Sequence, residues 1–182
     1  MSDASKPFGL SRRRSVYVLS ATAAGLAGVG LAWWRYAPAP ATTGAEDQLW
    51  SLEFDTPVGS RLALSSMRGR PLLINFWATW CPPCVEELPL LNTFYQENSP
   101  KGWQVLGIAV DKLAPVQAFL ARQPLAFPVA LAGMDGLTLS RNLGNQAGGL
   151  PFTVLLGAEG TLLNRKIGKL TKQDLALWRG LK

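Results

Sequence analysis

The stretch Phe76-Trp77-Ala78-Thr79-Trp80-Cys81-Pro82-Pro83-Cys84 constrains this chain more than any other. It holds both cysteines, three positions apart, and joins a near-continuous apolar run, Pro71 to Trp77, to a segment of helical character, Val85 to Asn98. Such a run reads as a strand buried on both faces, and a buried strand that turns directly into a helix is the repeating unit of an α/β sheet. Residues i and i+3 at a helix start share a face, so their Cα atoms fall within the roughly 4.4–6.8 Å that a disulfide requires. The pair can open and close without moving the backbone.

At the helix N-terminus, unpaired backbone N–H groups and the positive end of the macrodipole favour a thiolate. Cys81 is therefore the expected nucleophile. Cys84, one turn deeper and more buried, is the expected resolving thiol. Pro82 and Pro83 fit a first helical turn, but each lacks an N–H that would otherwise point towards the Cys81 sulfur. With no histidine in the chain to help, the thiolate is less stabilised than in a strong oxidant, which leans the pair towards reduction. Tetrahedral zinc needs more Cys or His ligands than two cysteines supply, so no metal is expected. A permanent disulfide closing so short a loop removes little unfolded-state entropy. Reversible dithiol exchange, which needs no cofactor, is the chemistry that remains.

The net charge of +6 suggests a nucleic-acid partner until it is divided along the chain. Lys6, Arg12, Arg13, Arg14 and Arg35 against Asp3 put +4 of it before residue 42, and the rest carries 13 basic and 11 acidic residues. No nucleic-acid face is expected. Residues 1–14 read as a tail ending in an arginine cluster. Residues 15–36 begin with an uncharged run, Ser15 to Trp34, whose twenty helical residues would rise about 30 Å, the hydrocarbon thickness of a bilayer. The arginines predict a cytoplasmic N-terminus, and Trp33, Trp34 and Tyr36 suit the opposite interface. This segment is read as a transmembrane anchor or an export signal, since Ala39 and Ala41 offer a cleavage pattern and Arg13-Arg14 loosely resembles a twin-arginine signal. The absence of any cysteine outside the pair agrees with an oxidising compartment. Residues 37–48, rich in Ala, Pro and Thr, form a linker, and residues 49–182 form the domain.

Within the domain, Leu49–Phe54 and Ser60–Leu64 are expected to form a hairpin around Pro57-Val58-Gly59, followed by a turn over 65–70. Strands are expected at Pro71–Trp77, Gln104–Val110, Phe127–Leu131, Phe152–Leu156 and Thr161–Ile167. Helices are expected at Val85–Asn98, with Pro89 bending it, at Ala114–Arg122, at Leu137–Leu143, and at the C-terminus behind Thr171 as cap with Asp174 at its third position. Strands alternating with helices and closing in a hairpin describe an α/β sandwich.

The run from Asn75 to Cys84, the following Glu86-Glu87-Leu88-Pro89, and Gly149-Leu150-Pro151 before a late strand resemble the thioredoxin superfamily, and within it the membrane-anchored TlpA/ResA-type thiol-disulfide oxidoreductases of bacteria. The resemblance implies a thioredoxin-like fold, a central mixed sheet flanked by helices, with the N-terminal β-hairpin and a single N-terminal transmembrane helix. It implies a cis bond before Pro151, with Leu150, Pro151, Trp80, Pro82 and Pro83 contacting an extended substrate, and a thiol-tuning role for Glu87. One turn beyond Cys84, the Glu87 carboxylate can accept the resolving proton, although Glu86 and Glu87 also suit a helix start simply as solvated acids. Where cytosolic thioredoxins bury an acid, this chain has Asn75. The implied function is reduction of disulfides in exported proteins, with apocytochrome c as one such substrate. A membrane thiol reductase would be the electron donor, and the domain would act as a monomer on the periplasmic or extracytoplasmic side of the bacterial inner membrane. Rival readings are a thiol oxidant, a peroxiredoxin-like peroxidase, which would need a cysteine in a Pro-X-X-X-Thr/Ser-X-X-Cys setting, and a copper-delivery module, whose relatives use a histidine.

Overall fold

The computed structural model describes residues 48–181. The tail and the expected anchor or export segment lie outside these residues. Among the described residues, no helix is long and apolar enough to cross a membrane.

Seven strands form one mixed sheet: β1 Glu53–Asp55, β2 Arg61–Ala63, β3 Leu72–Trp77, β4 Gln104–Ala109, β5 Val129–Leu131, β6 Phe152–Leu156 and β7 Leu162–Ile167, in spatial order β2-β1-β5-β4-β3-β6-β7. β3, β4 and β5 run parallel, and the pairs β3–β6, β6–β7, β1–β5 and β1–β2 are antiparallel. Among the described residues, four α-helices connect or follow the strands: α1 Pro82–Asn98, α2 Leu113–Arg122, α3 Asp135–Asn142 and α4 Lys172–Trp178.

β3 lies between β4 and β6, and all six of its residues are buried. Side chains alternate across a strand, so Leu72, Ile74 and Phe76 enter one core with Leu106, Phe152 and Val154. Leu73 and Trp77 enter the other, with Cys81, Cys84, Leu88, Leu91 and Trp178. The same period puts Asn75, the one polar residue of β3, on the face that α1 covers. Gly107 on β4 leaves room there, since a Cβ would lie 3.0 Å from Trp77 Nε1 and 3.1 Å from Phe127 Cε2. Trp77 fills that space and packs on Phe119 with ring centroids 5.2 Å apart.

The first strands are shorter than expected. Residues 48–50 form a helical turn, which buries Leu49 and Trp50 together and lets Trp50 Nε1 donate to Gly160 O at 3.1 Å. An extended Leu49-Trp50 would send neighbouring side chains to opposite faces, and the turn avoids that. The expected turn over 65–70 includes a 3-10 segment, Leu64–Met67, which buries Leu64 and Met67. α1 begins at Pro82 rather than Val85, since both prolines occupy its first turn, and it runs unbroken through Pro89. α3 starts two residues earlier than expected, with Asp135 in its first turn. In the last helix Thr171 Oγ1 accepts from Asp174 N while the Asp174 carboxylate accepts from Thr171 N, a complete capping box.

Candidate active site

The parallel order of β3 and β4 brings the ends of both strands to one edge of the sheet, where the turn before Cys81 is assembled. Cys81 N donates to Ala78 O at 3.3 Å, closing a tight turn over residues 78–81. The carboxylate of Asp111, just beyond β4, holds this turn: Oδ2 accepts from Thr79 N at 3.0 Å and from Thr79 Oγ1, and Oδ1 accepts from Lys112 N at 2.7 Å. Trp80 is pushed outward, 59% exposed.

Cys81 is the N-cap of α1, with φ −104° and ψ 99°, and is joined to Cys84 in a disulfide with Cα atoms 5.3 Å apart. Its side chain receives no capping hydrogen bond. The physical reason is local. Pro82 and Pro83 have no N–H, and the next two amides, of Cys84 and Val85, both donate to Cys81 O at 3.1 Å. Cys81 keeps a little exposure at 5%, whereas Cys84 has none. Pro82 and Pro83 are exposed beside the disulfide.

The two adjacent glutamates of α1 part company. Glu86 is exposed and pairs with Lys169 Nζ at 2.8 Å. Glu87 is fully buried, with Oε1 accepting from Asn75 Nδ2 at 2.6 Å and Oε2 from Leu170 N at 2.7 Å. Asn75 Nδ2 also donates to Thr153 Oγ1 at 2.9 Å. Burial pushes the Glu87 pKa above the ordinary 4.5, against the opposing pull of the Leu170 amide, the Asn75 amide and the lysines at 169 and 166. The solvated reading of the pair thus holds for Glu86 alone. On the helix, Glu87 stands one turn beyond Cys84, on the inward side.

The Leu150–Pro151 bond is cis. Pro151 is buried and Leu150 half-buried against the core that contains both cysteines. Pro151 O accepts from Gly168 N at 2.7 Å, which sets the β7 end beside this loop. Cys81, Cys84, Glu87 and Leu150 thus meet around one core. The sequence reading missed Thr153, the Leu170 amide and Asp111. A lone threonine in the apolar strand β6 was a usable signal, as was an acid directly after a parallel strand. Nothing in the sequence marked Leu170 N. Among the described residues, no group of three His, Cys, Asp or Glu side chains is placed to hold a metal. A groove of about 700 Å³ lined by Pro57, Leu62, Leu120, Leu125 and Phe127 contains neither cysteine.

A family described as Redoxin matches residues 37–176. The chain belongs to the Redoxin family. It is 30% identical over 118 residues to the thiol-disulfide oxidoreductase ResA of Bacillus cereus, covering 64% of this chain and 66% of that one. It is 32% identical over 118 residues to ResA of Geobacillus kaustophilus, with the same coverage. The chain thus spans just under two thirds of the length of these relatives. A thiol:disulfide interchange protein of the thioredoxin family from Chlorobium tepidum superposes with a TM-score of 0.63 at 26% identity, over 70% of this chain and 90% of that one. The Redoxin assignment and this likeness agree with the thioredoxin-like sheet described above, and with the resemblance to the TlpA/ResA type.

Proposed function

We propose that this chain is a thiol-disulfide oxidoreductase that reduces disulfides in exported proteins, held at the bacterial inner membrane by residues 15–36 with its domain on the extracytoplasmic side. The observation that carries the reading is a disulfide at the N-cap of α1 with a buried, hydrogen-bonded carboxylate one turn behind it.

In the reduced enzyme, the Cys81 thiolate attacks one sulfur of a substrate disulfide. A mixed disulfide forms, and the other substrate sulfur leaves as a thiolate that takes a proton. Cys84 then loses its proton and attacks Cys81 Sγ, which forms the Cys81–Cys84 disulfide and expels the second substrate thiolate. Two electrons have passed to the substrate. Glu87 is the group suited to accept the Cys84 proton, because its raised pKa brings a carboxylate closer to a thiol than an exposed glutamate would be. A dithiol donor, here a membrane thiol reductase, returns the pair to the reduced state. The Leu150–Pro151 segment and Trp80 present backbone and an aromatic face to an extended substrate chain. Apocytochrome c, whose cysteines must stay reduced for haem attachment, is a substrate of the right kind.

Trapping tests the order of events. Cys84→Ser should accumulate a mixed disulfide through Cys81 with exported proteins, and Cys81→Ser should accumulate none. Equal trapping by both variants would reverse the roles of the two thiols or remove them.

A further inference from the structure

Two guanidinium groups that no acid of the described chain neutralises, one from α3 and one from β7, lie against the loop that leads into Leu150–Pro151. From residue 136 to 172 the sequence has Arg141, Arg165, Lys166, Lys169 and Lys172 against Glu159 alone. Lys166 is taken by Asp174, and Lys169 by Glu86. Among the described residues no carboxylate lies within 4.0 Å of Arg141 or Arg165.

Both groups are held against the loop backbone. Gly144 has φ +104°, and a Cβ there would lie 2.9 Å from Arg165 Cζ. Gly148 has φ +66°, and its Cβ would lie 3.0 Å from Arg141 Nη2. Glycine supplies the left-handed backbone and the space on which each guanidinium rests. Buried Asn145 stiffens the loop from inside, with Nδ2 donating to Gly149 O at 2.8 Å and to Ser140 Oγ at 3.3 Å. Arg141 lies in the last turn of α3, where a cation is favoured by the helix dipole, but Arg165 comes from β7 and has no such reason. The link from this pair to the disulfide is the loop itself, which runs from Gly144 through Gly148 to Leu150, a residue packed on the core that holds both cysteines, and beside it Ile167, 55% exposed and 3.7 Å from the Cβ position of Gly149, is an exposed apolar group.

We infer that Arg141 and Arg165 form a docking surface for an acidic polypeptide segment, which selects disulfide substrates carrying aspartate or glutamate near an extended, apolar cysteine stretch. This rests on the oxidoreductase reading. Arginine suits the task because its planar fork meets a carboxylate with two hydrogen bonds. Exposed charges at the rim of a contact contribute mainly through encounter and are screened by salt, so the effect is modest and dependent on ionic strength.

The test uses three disulfide-bonded peptides, identical except for flanking Glu, Gln or Lys residues, turned over by the full chain with dithiothreitol supplying the two electrons of each cycle and the uncatalysed rate subtracted. The expected kcat/KM ranks Glu over Gln over Lys, with Glu about five- to tenfold above Gln at low salt and the gap shrinking at high salt. Arg141→Gln with Arg165→Gln should abolish the Glu preference, whereas Arg141→Lys with Arg165→Lys should keep part of it because the charge remains. Equal turnover of the three peptides by the unaltered chain, or a Glu preference that survives the double Gln variant, would overturn the docking surface while leaving the oxidoreductase reading intact. Turnover of none of them would overturn both.

Discussion

At the scale of single residues, Glu87 is the buried acid on which the proposed chemistry turns. Its pKa is raised by burial, so the folded state favours the neutral acid more than the unfolded chain does. Stability tied to this group is fully present below the ordinary glutamate value and is lost as pH climbs through the raised one. Glu87→Gln removes that loss while keeping the volume, and the Asn75 amide can turn to present its oxygen to the new donor. The variant should therefore gain on the unaltered protein in denaturant midpoint between pH 4 and pH 8, and a constant gap would contradict the assignment. Under the proposed mechanism the same substitution removes the acceptor of the Cys84 proton. The step in which Cys84 resolves the mixed disulfide should slow by about 100-fold near neutral pH, read by stopped-flow decay of a preformed mixed disulfide, and should lose its pH dependence in the acid range. An unchanged rate would reduce Glu87 to a structural role. Asp111 acts through others, as a positioning residue. It touches neither sulfur, but its carboxylate holds Thr79 and so the turn that presents Cys81.

At the scale of elements, the redox helix is anchored at both its sequence neighbours and at distant points. β3 and α1 are bound through Asn75–Glu87, and the segment before α4 joins them through Leu170 N. The start of α4 is fixed by its capping box, and Asp174 is also held by Lys166, which lowers its pKa to about 2. A depressed folded-state value gives stability that is present above the ordinary aspartate range and is lost as pH falls towards about 2. Thr171→Ala should cost about 1 kcal/mol by losing the cap, seen in equilibrium denaturation, and an unaltered midpoint would mean that α4 is held by packing alone. Gly107→Ala meets Trp77 and Phe127 at close range on a buried strand and should destabilise by about 1–3 kcal/mol through overpacking. Much at this scale could be read in the sequence. β3, β4 and β6 stand where the apolar runs put them, and α1 ends at Asn98 as expected but starts three residues early, at Pro82. Leu49-Trp50 misled because two adjacent apolar residues fit a short strand locally, and only the distant Gly160 carbonyl reveals why they turn.

At the scale of the whole molecule, the sheet order explains what no local pattern could. Asn75, Glu87, Thr153 and Leu170 are spread over nearly a hundred positions, and their meeting requires β6 to return antiparallel beside β3 and the chain to cross back over α1. Asp111 meets Thr79 because β3 and β4 are parallel neighbours ending together. The cysteine pair and Glu87 were legible as candidates, but the buried network that separates Glu87 from its exposed neighbour was not. The first sulfur of the disulfide receives no capping hydrogen bond, which is the feature the proposed reducing role rests on. The direct test is the reduction potential of the Cys81–Cys84 pair, measured by equilibrating the full chain with dithiol buffers of graded ratio and trapping free thiols. A value near or below about −270 mV, the level of thioredoxin, is the predicted result. A value near about −120 mV would make this an oxidant and contradict the account.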